Sequence, residues 1–210
     1  MITEINTQQL MAIIQKITDR IVANRDTLNT LDSALGDGDH GTGISIAFSA
    51  ASEAISGLDD ADMMTILKTT ATTIMNRMGG ASGALYGTFF LKAAITAKDK
   101  NTLNKSDFDQ LLQAGLDGVK QRGKSDIGDK TMVDALQPAV IAFTEADTLA
   151  DGWQHAAASA HGGAENTKDM IAKHGRAKFA GERSRGYIDA GASSIALMFE
   201  AINQYWEEQH

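Results

Sequence analysis

The 210-residue chain has no cysteine, a single proline and no long apolar run. The absence of cysteine excludes disulfides, thiolate catalysis and cysteine-ligated zinc sites. No stretch of 18 apolar residues occurs, and the N-terminus MITEINTQQL lacks the basic and apolar regions of a signal peptide. We therefore expect a cytoplasmic protein without a membrane segment. The formal charge of −8 would repel a phosphate backbone, which argues against nucleic acid as a general partner.

The composition favours one all-α domain over residues 1 to 210. Hydrophobic residues make up 43% of the chain, as in folded globular proteins, and alternating β-branched patterns are scarce. Apolar residues recur at helical spacing in three segments that include Leu10, Ile44 and Met64. Further helices are predicted over residues 84 to 98, 106 to 122, 131 to 146, 151 to 173 and 191 to 207. About eight helices with short loops predict an antiparallel bundle or barrel.

An acidic loop, LDSALGDGDHGTG, places Asp32, Asp37 and Asp39 among glycines just before a helix. Carboxylates this close repel one another unless a hard cation lies between them, and Mg²⁺ suits a partial protein cage that also admits phosphates. The alternative is a solvated acidic turn in which Asp39 caps the helix. The loop also fits the expression GxGxxG, but no strand precedes it, so a dinucleotide-binding fold is rejected.

Three further segments combine glycine with polar residues. Residues 79 to 83, GGASG, separate two predicted helices and offer free backbone N–H groups to an anion, or form a tight turn. Residues 118 to 125 fit the P-loop expression, but they begin inside a predicted helix, so we interpret them as a helix C-terminus. Residues 128 to 132, GDKTM, resemble an N-terminal cap from which Lys130 and Thr131 could reach a phosphate.

A basic segment, KHGRAKFAGERSR at residues 173 to 185, stands out in an otherwise acidic chain. Its charge suits a phosphate group, a solvated loop or the docking of an acidic protein. Residues 189 to 191 follow it and begin the last predicted helix, either as a cap or as a ligand contact.

Taken in order, GDGDHGTG, GGASGALYGTFF, GDKTMVDAL and GRAKFAGERSRGYIDAGA resemble the nucleotide-binding L subunits of dihydroxyacetone kinases over essentially the whole chain. The resemblance implies an eight-helix antiparallel barrel with the nucleotide-binding loops at one end. It implies ADP or ATP as cofactor with two Mg²⁺ ions held by Asp32, Asp37 and Asp39, which act in catalysis together with His40. The implied nucleotide contacts are His40, Gly41, Thr42, Gly43, Ala81, Ser82, Gly123, Met132, Arg176, Asp189, Ala190 and Gly191.

The resemblance also implies partners. In the family, a K subunit holds dihydroxyacetone covalently on its own histidine, so this chain would supply the phosphoryl donor and no nucleophile. A separate subunit of this length resembles the phosphoenolpyruvate-dependent branch, in which a phosphohistidine-carrying M subunit rephosphorylates bound ADP. His40 and Ser82 are candidates for hydrogen bonds to phosphate, Arg176 would lie near the nucleotide, and Met132 would pack against its base.

Three alternatives remain open at this point. The chain could be an ATP-exchanging kinase subunit for another acceptor, although fatty acid kinases with a similar domain usually carry further domains. It could be a nucleotide-loaded regulatory subunit that binds a transcription activator. It could also be a helical interaction module whose loops match by chance. The acceptor, the exchange of ADP and the oligomeric state are not determined by these motifs.

Overall fold

The computed structural model describes residues 2 to 209. Within them lie nine α-helices and two short strands, so the all-α fold class is confirmed. The helices are α1 Thr7–Ala23, α2 Arg25–Ser33, α3 His40–Ile55, α4 Met63–Arg77, α5 Gly80–Thr96, α6 Lys105–Gly123, α7 Val133–Thr144, α8 Leu149–Asn166 and α9 Ala190–Glu207.

Eight of these helices form a closed ring. Each of α3 to α9 packs on its neighbours in sequence, and α1 packs on both α3 and α9, which closes the barrel. The remaining helix, α2, lies outside the ring against α3 and α9. Apolar spacing did not predict α2, because Leu28 is its only buried residue and a single apolar side chain has no period.

The two strands tie the N-terminus to the α5–α6 connection. β1 (Glu4–Asn6) pairs antiparallel with β2 (Thr102–Asn104), and the facing Ile5 and Leu103 are fully buried. Asn6 and Asn104, which end the strands, each cap the helix that follows through a capping box. Three residues are too few for a strand pattern, so the sequence did not indicate them.

Aromatic side chains fill the middle of the barrel. Trp153 packs on Phe108, Phe143, Phe199 and Trp206 with ring centroids between 4.4 and 6.3 Å apart. Such contacts add to the free energy gained by removing large apolar surfaces from water. The ring therefore has a continuous apolar interior, and its polar chemistry lies at its ends. Among the described residues, no helix combines the length and hydropathy needed to cross a membrane.

The connection between α8 and α9 is longer than predicted. The helix predicted over residues 151 to 173 ends at Asn166, and two 3-10 helices follow, Thr167–Asp169 and Ala177–Ser184. Gly175, Gly181 and Gly186 adopt positive φ here, a region that glycine enters without the strain other residues meet. The basic segment is therefore an irregular loop that crosses one end of the barrel.

In an antiparallel ring, alternate connections lie at the same end. The connections that follow α2, α4, α6 and α8 contain, in that order, the acidic loop, the GGASG segment, the GDKTM segment, and the basic segment with residues 189 to 191. We call these the four glycine-rich segments. The fold thus brings residues 36 to 43, 79 to 83, 123 to 132 and 175 to 191 to one end of the barrel, as predicted.

Two adjacent glycines of α8 test this packing. A Cβ on Gly163 would overlap the Asp134 carbonyl oxygen of α7, whereas a Cβ on Gly162 would meet nothing within 4 Å. We expect Gly163→Ala to lower the free energy of unfolding by about 2 kcal/mol through overpacking. Gly162→Ala should raise it by about 0.5 to 1 kcal/mol, because alanine favours the helix. Chemical denaturation measures both, and equal effects would contradict the α7–α8 packing.

Candidate functional site

Side chains from the four glycine-rich segments meet at one end of the barrel. Met78 lies beside Gly43, Leu85 lies beside Gly123, and Met132 lies beside Gly191. The Arg176 guanidinium contacts the Asp37 carboxylate. These contacts link parts of the chain that are far apart in sequence, so the four segments form a single site.

Four helices, α3, α5, α7 and α9, begin at this site. The residues before the first three are Asp39, Gly79 and Met132, and none of them makes a side-chain capping hydrogen bond. The first-turn N–H groups of a helix carry partial positive charge and lack partners within the helix. The start of α5 has no side-chain cap, whereas Asn29 accepts the Thr42 N–H of α3 and Thr131 accepts the Val133 N–H of α7. An uncapped helix start at the same end as the acidic loop favours an anion such as a phosphate.

The acidic cluster lies at the mouth of this site. Carboxylate oxygens of Asp32, Asp37 and Asp39 lie within 4.8 Å of one another. Two oxygens on opposite sides of one Mg²⁺ would be about 4 Å apart, so the cluster is nearly the size of a cation shell. Asp39 occupies the N-cap position but its carboxylate makes no capping hydrogen bond. This argues against the purely structural alternative, in which Asp39 would serve as a cap.

Asp32 shapes the loop that carries the other two carboxylates. It lies in the last turn of α2 rather than in the loop itself. Its Oδ2 atom accepts hydrogen bonds from the backbone N–H groups of Gly38, at 2.9 Å, and Asp39, at 3.1 Å. A Cβ on Gly36 would overlap the Asp32 carboxylate, and Gly38 has a φ of 75°. The glycines of this loop therefore allow the backbone to turn closely around one carboxylate.

A second side chain of α2, which sequence reasoning missed, braces the start of α3. Asn29 accepts a hydrogen bond from the Thr42 N–H and donates one to its hydroxyl, both at 2.9 Å. Gly41 packs against the same helix, and a Cβ there would overlap the Arg25 carbonyl oxygen. Gly43 is partly exposed to solvent. The only signal for Asn29 is its position one helical turn before Asp32.

The His40 ring is turned into the barrel. It is 9% exposed, and its Nε2 atom lies 3.0 Å from the Ser194 hydroxyl in α9. Burial lowers the pKa of His40, and the Asp32 carboxylate partly opposes that shift. The lowered pKa favours the neutral imidazole. Ser194 was not predicted as a site residue, because nothing local connects it to a histidine 154 positions away.

The first turn of α5 is accessible. Ala81 is exposed and Ser82 is half-buried, while Gly83 packs so closely on Met78 that a Cβ would overlap its carbonyl oxygen. The turn thus presents its predicted contact residues outward. Residues 118 to 123 are helical and Lys124 ends α6 with a left-handed φ of 51°, so the P-loop match is indeed a helix C-terminus.

The GDKTM segment is held by Asp134, whose carboxylate accepts the N–H groups of Gly128 at 2.6 Å and Thr131 at 2.7 Å. Lys130 differs from expectation, because its side chain points inward and is 1% exposed. Its ammonium donates to the Thr167 carbonyl at 2.5 Å and to the Tyr187 carbonyl. It therefore anchors both ends of the basic segment instead of reaching a phosphate. Met132 is buried as the residue before α7.

Asp189 caps α9 by accepting the Ala192 N–H at 2.8 Å, as the capping alternative predicted. Desolvation raises the pKa of Asp189 to about 6, although Lys130 opposes this shift. Ala190 and Gly191 form the first turn, and Gly191 packs beside Met132. The segment of residues 175 to 191 is thus in contact with the GDKTM segment.

An open cavity of about 470 Å³ lies between the acidic loop and the basic segment. This volume is within the range of small-molecule sites. Phe179 and Tyr187, which sequence reasoning did not single out, contribute aromatic surface to it. The lining residues are Ala34, Leu35, Gly36, Arg176, Phe179, Ala180, Arg183 and Tyr187.

Comparison with known proteins identifies the family. Residues 34–204 match the model of the DAK2 domain. The chain belongs to the DAK2 domain family. The DAK2 match runs from Ala34 in the acidic loop to Gln204 in α9. It therefore covers ring helices α3 to α8, most of α9 and all four segments of the site, while α1 and Asp32 precede it.

Two bacterial relatives align with this DAK2 chain over nearly their whole length. It is 40% identical to the PEP-dependent dihydroxyacetone kinase 1, ADP-binding subunit DhaL, of Listeria innocua, covering 89% of this chain and 90% of the relative. It is 34% identical to the corresponding ADP-binding subunit of Escherichia coli, covering 92% and 94%.

A solved structure also superimposes on the fold. The dihydroxyacetone kinase of C. freundii, in complex with AMP-PNP and Mg²⁺, has 27% sequence identity and a TM-score of 0.73. The alignment covers 97% of this chain and 35% of the C. freundii chain, so the DAK2 domain spans about a third of that enzyme.

Proposed function

We propose that this chain is the ADP-binding subunit of a phosphoenolpyruvate-dependent dihydroxyacetone kinase. In this function it binds the nucleotide with Mg²⁺ and passes the γ-phosphoryl group to dihydroxyacetone held on a separate K subunit, which yields dihydroxyacetone phosphate. The observation that carries the proposal is the convergence of three carboxylates and four glycine-rich segments at one end of the barrel. Similarity to ADP-binding subunits over nine-tenths of both chains supports it.

The metal site consists of Asp32, Asp37 and Asp39, which we propose hold two Mg²⁺ ions. All three offer oxygen ligands, the type that Mg²⁺ prefers, and the ring of His40 is turned away into the barrel. When bound, Mg²⁺ neutralises charge on the phosphates and on the oxygen that leaves during phosphoryl transfer. Asp32 keeps one oxygen on the loop backbone, so its position is fixed before any ligand binds.

The nucleotide would extend from the metal site across the helix starts. We propose that Gly41, Thr42 and Gly43 in α3, and Ala81 and Ser82 in α5, donate backbone or hydroxyl hydrogen bonds to its phosphates. The uncapped start of α5 is suited to that task. In α3 the Thr42 N–H is already donated to Asn29, so Thr42 would donate through its hydroxyl. We propose that Arg176, Asp189, Ala190 and Gly191 contact the nucleotide as well. We propose that Gly123 and Met132 contact the base, with Met132 packed against it.

Catalysis by this subunit would rest on positioning and on charge neutralisation, without a covalent intermediate on this chain. The buried Lys130 and the hydrogen bonds of Asp32 and Asp134 fix the loops from behind. Preorganised groups of this kind lower the barrier because they need not reorient as charge develops. His40 would contribute from the start of α3, through its backbone or its Nδ1 atom.

The partners follow from the same proposal. The acceptor binds on the K subunit, and the M subunit of the phosphotransferase system would rephosphorylate ADP in place. We propose that the basic segment helps the M subunit dock. Arg183 and Arg185 are exposed beside the site. Phe179, which lies between Arg176 and Arg183 in the sequence, is 79% exposed. A different acceptor remains the second candidate, because acceptor choice would lie on another chain.

Asp39 provides a test of the metal site. Its side chain makes no capping hydrogen bond, so Asp39→Asn should leave the free energy of unfolding nearly unchanged. Loss of a metal ligand should weaken magnesium-dependent ADP binding by at least about tenfold in titration calorimetry. Asp26→Asn, which removes an exposed carboxylate from the first turn of α2, is the matched control. Equal ADP affinity for both variants would refute the assignment.

Arg183 and Arg185 test the docking proposal. The double variant Arg183→Gln/Arg185→Gln should raise the KM for the phosphorylated M subunit several-fold, and more at low salt, because exposed charges mainly affect encounter. Lys68→Gln/Lys98→Gln removes the same charge from exposed positions on α4 and just after α5. Turnover driven by phosphoenolpyruvate measures both. If neither double variant differed from the wild type, the basic segment would not be the docking site.

A further inference from the structure

A buried hydrogen-bond network lies directly behind the candidate site. The Ser194 hydroxyl oxygen is 3.0 Å from His40 Nε2 and 2.5 Å from the Tyr86 hydroxyl. All three side chains are buried, Tyr86 at 1% exposure and Ser194 at 0%. They belong to α3, α5 and α9, and each of these helices begins with predicted nucleotide contacts. One serine therefore connects three walls of the site.

The carbonyl groups beside Ser194 favour one assignment of the hydrogen atoms in this network. The Ser194 oxygen also lies 2.9 Å from the Gly191 carbonyl and 3.1 Å from the Ala190 carbonyl. Carbonyl oxygens only accept, which favours directing the single hydroxyl hydrogen of Ser194 to them. The Tyr86 hydroxyl lies 3.3 Å from the same Gly191 carbonyl and is nearer to the serine oxygen. The serine oxygen then accepts from both the Tyr86 hydroxyl and His40 Nε2–H. This assignment gives each donor of the network an acceptor and places a hydrogen atom between the Tyr86 and Ser194 oxygens.

The surroundings of Tyr86 support this direction. Burial raises the pKa of the Tyr86 hydroxyl well above its usual range, so the phenol keeps its proton and remains a donor. A buried network in which every donor has an acceptor favours one arrangement of its side chains. Removing the serine oxygen would leave the His40 Nε2–H without an acceptor in the interior, and the Tyr86 hydroxyl would keep only the Gly191 carbonyl, at 3.3 Å. An unpaired donor in the interior is costly.

We propose that Ser194 and Tyr86 are positioning residues of the nucleotide site, which hold His40 as the Nε2–H tautomer and fix the first turns of α3 and α9 relative to α5. The His40 Nδ1 atom, which makes no hydrogen bond to residues 2 to 209, then carries a lone pair. It accepts a hydrogen bond from a nucleotide hydroxyl or a bound water, and it cannot donate to a phosphate oxygen. This inference rests on the proposed nucleotide-binding function.

The tautomer can be measured without any nucleotide. In ¹⁵N-labelled wild-type protein, long-range proton–nitrogen correlation of the His40 ring should show a protonated Nε2 and a bare Nδ1. In Ser194→Ala the ring should lose this single tautomer, because its acceptor is gone. A wild-type ring protonated on Nδ1 would overturn the proposal.

Kinetics and binding test the positioning role. We expect Ser194→Ala to reduce kcat about tenfold, the loss that one buried hydrogen bond of about 1.4 kcal/mol would give. The KM for the K subunit should stay unchanged, since that surface is not altered. Ser194→Cys keeps the volume but accepts hydrogen bonds weakly. The kcat of Ser194→Cys should therefore be as low as that of Ser194→Ala. A wild-type kcat for the cysteine variant would show that only packing at this position matters.

Matched controls separate this effect from a general loss of stability. Thr70→Val and Tyr205→Phe remove buried hydroxyls of α4 and α9 outside the network, and neither should change kcat or the His40 spectrum. Tyr86→Phe, which removes one donor and keeps the ring, should lower kcat several-fold. If Ser194→Ala and Tyr86→Phe both retained wild-type kcat and tautomer, the proposal would be wrong. A wild-type protein that bound no Mg–ADP would contradict the proposed function instead. The tautomer of His40, measured without nucleotide, would still show whether Ser194 accepts its Nε2–H.

Discussion

Closure of the helical ring is the constraint on which the rest of the structure depends. Because α9 packs on α1 and neighbouring helices run in opposite directions, four connections that are distant in sequence meet at one end. The same closure places Ser194 of α9 against His40 of α3 and Tyr86 of α5. The apolar interior around Trp153 supplies the stabilisation, and the connections supply the chemistry.

Charge is distributed in layers at this end of the barrel. Three carboxylates lie at the mouth, and α5 begins at the same end without a side-chain cap. The buried ammonium of Lys130 lies behind, near Asp134 and Asp189. Clustered carboxylates are unfavourable alone, and so are uncompensated helix starts. A magnesium–nucleotide complex brings positive and negative charge together and would satisfy both. This complementarity explains why a site for metal and phosphate is expected here and not elsewhere on the barrel.

Much of this arrangement followed from the sequence, since 3.6-residue spacing predicted the ring helices and glycines marked the connections. The short helix α2 was not predicted, because one buried leucine leaves no periodic signal. For the same reason Asp32, which lies in the last turn of α2, was assigned to the loop. Lys130 was expected to reach a phosphate. Instead it binds the carbonyl groups of Thr167 and Tyr187, and these inward partners cannot be recognised from composition. Asn29 and Ser194 were missed because their roles arise only from long-range packing. The individual nucleotide contacts remain predictions from family resemblance.

The most direct test of the central claim is the nucleotide and metal content of the protein. The protein would be purified without added nucleotide and then denatured, and released nucleotide and magnesium would be quantified by chromatography and mass spectrometry. The account predicts about one ADP per chain together with about two Mg²⁺ ions, as in two-metal phosphoryl-transfer sites. A protein that is empty after purification and binds neither ADP nor ATP with Mg²⁺ would contradict it.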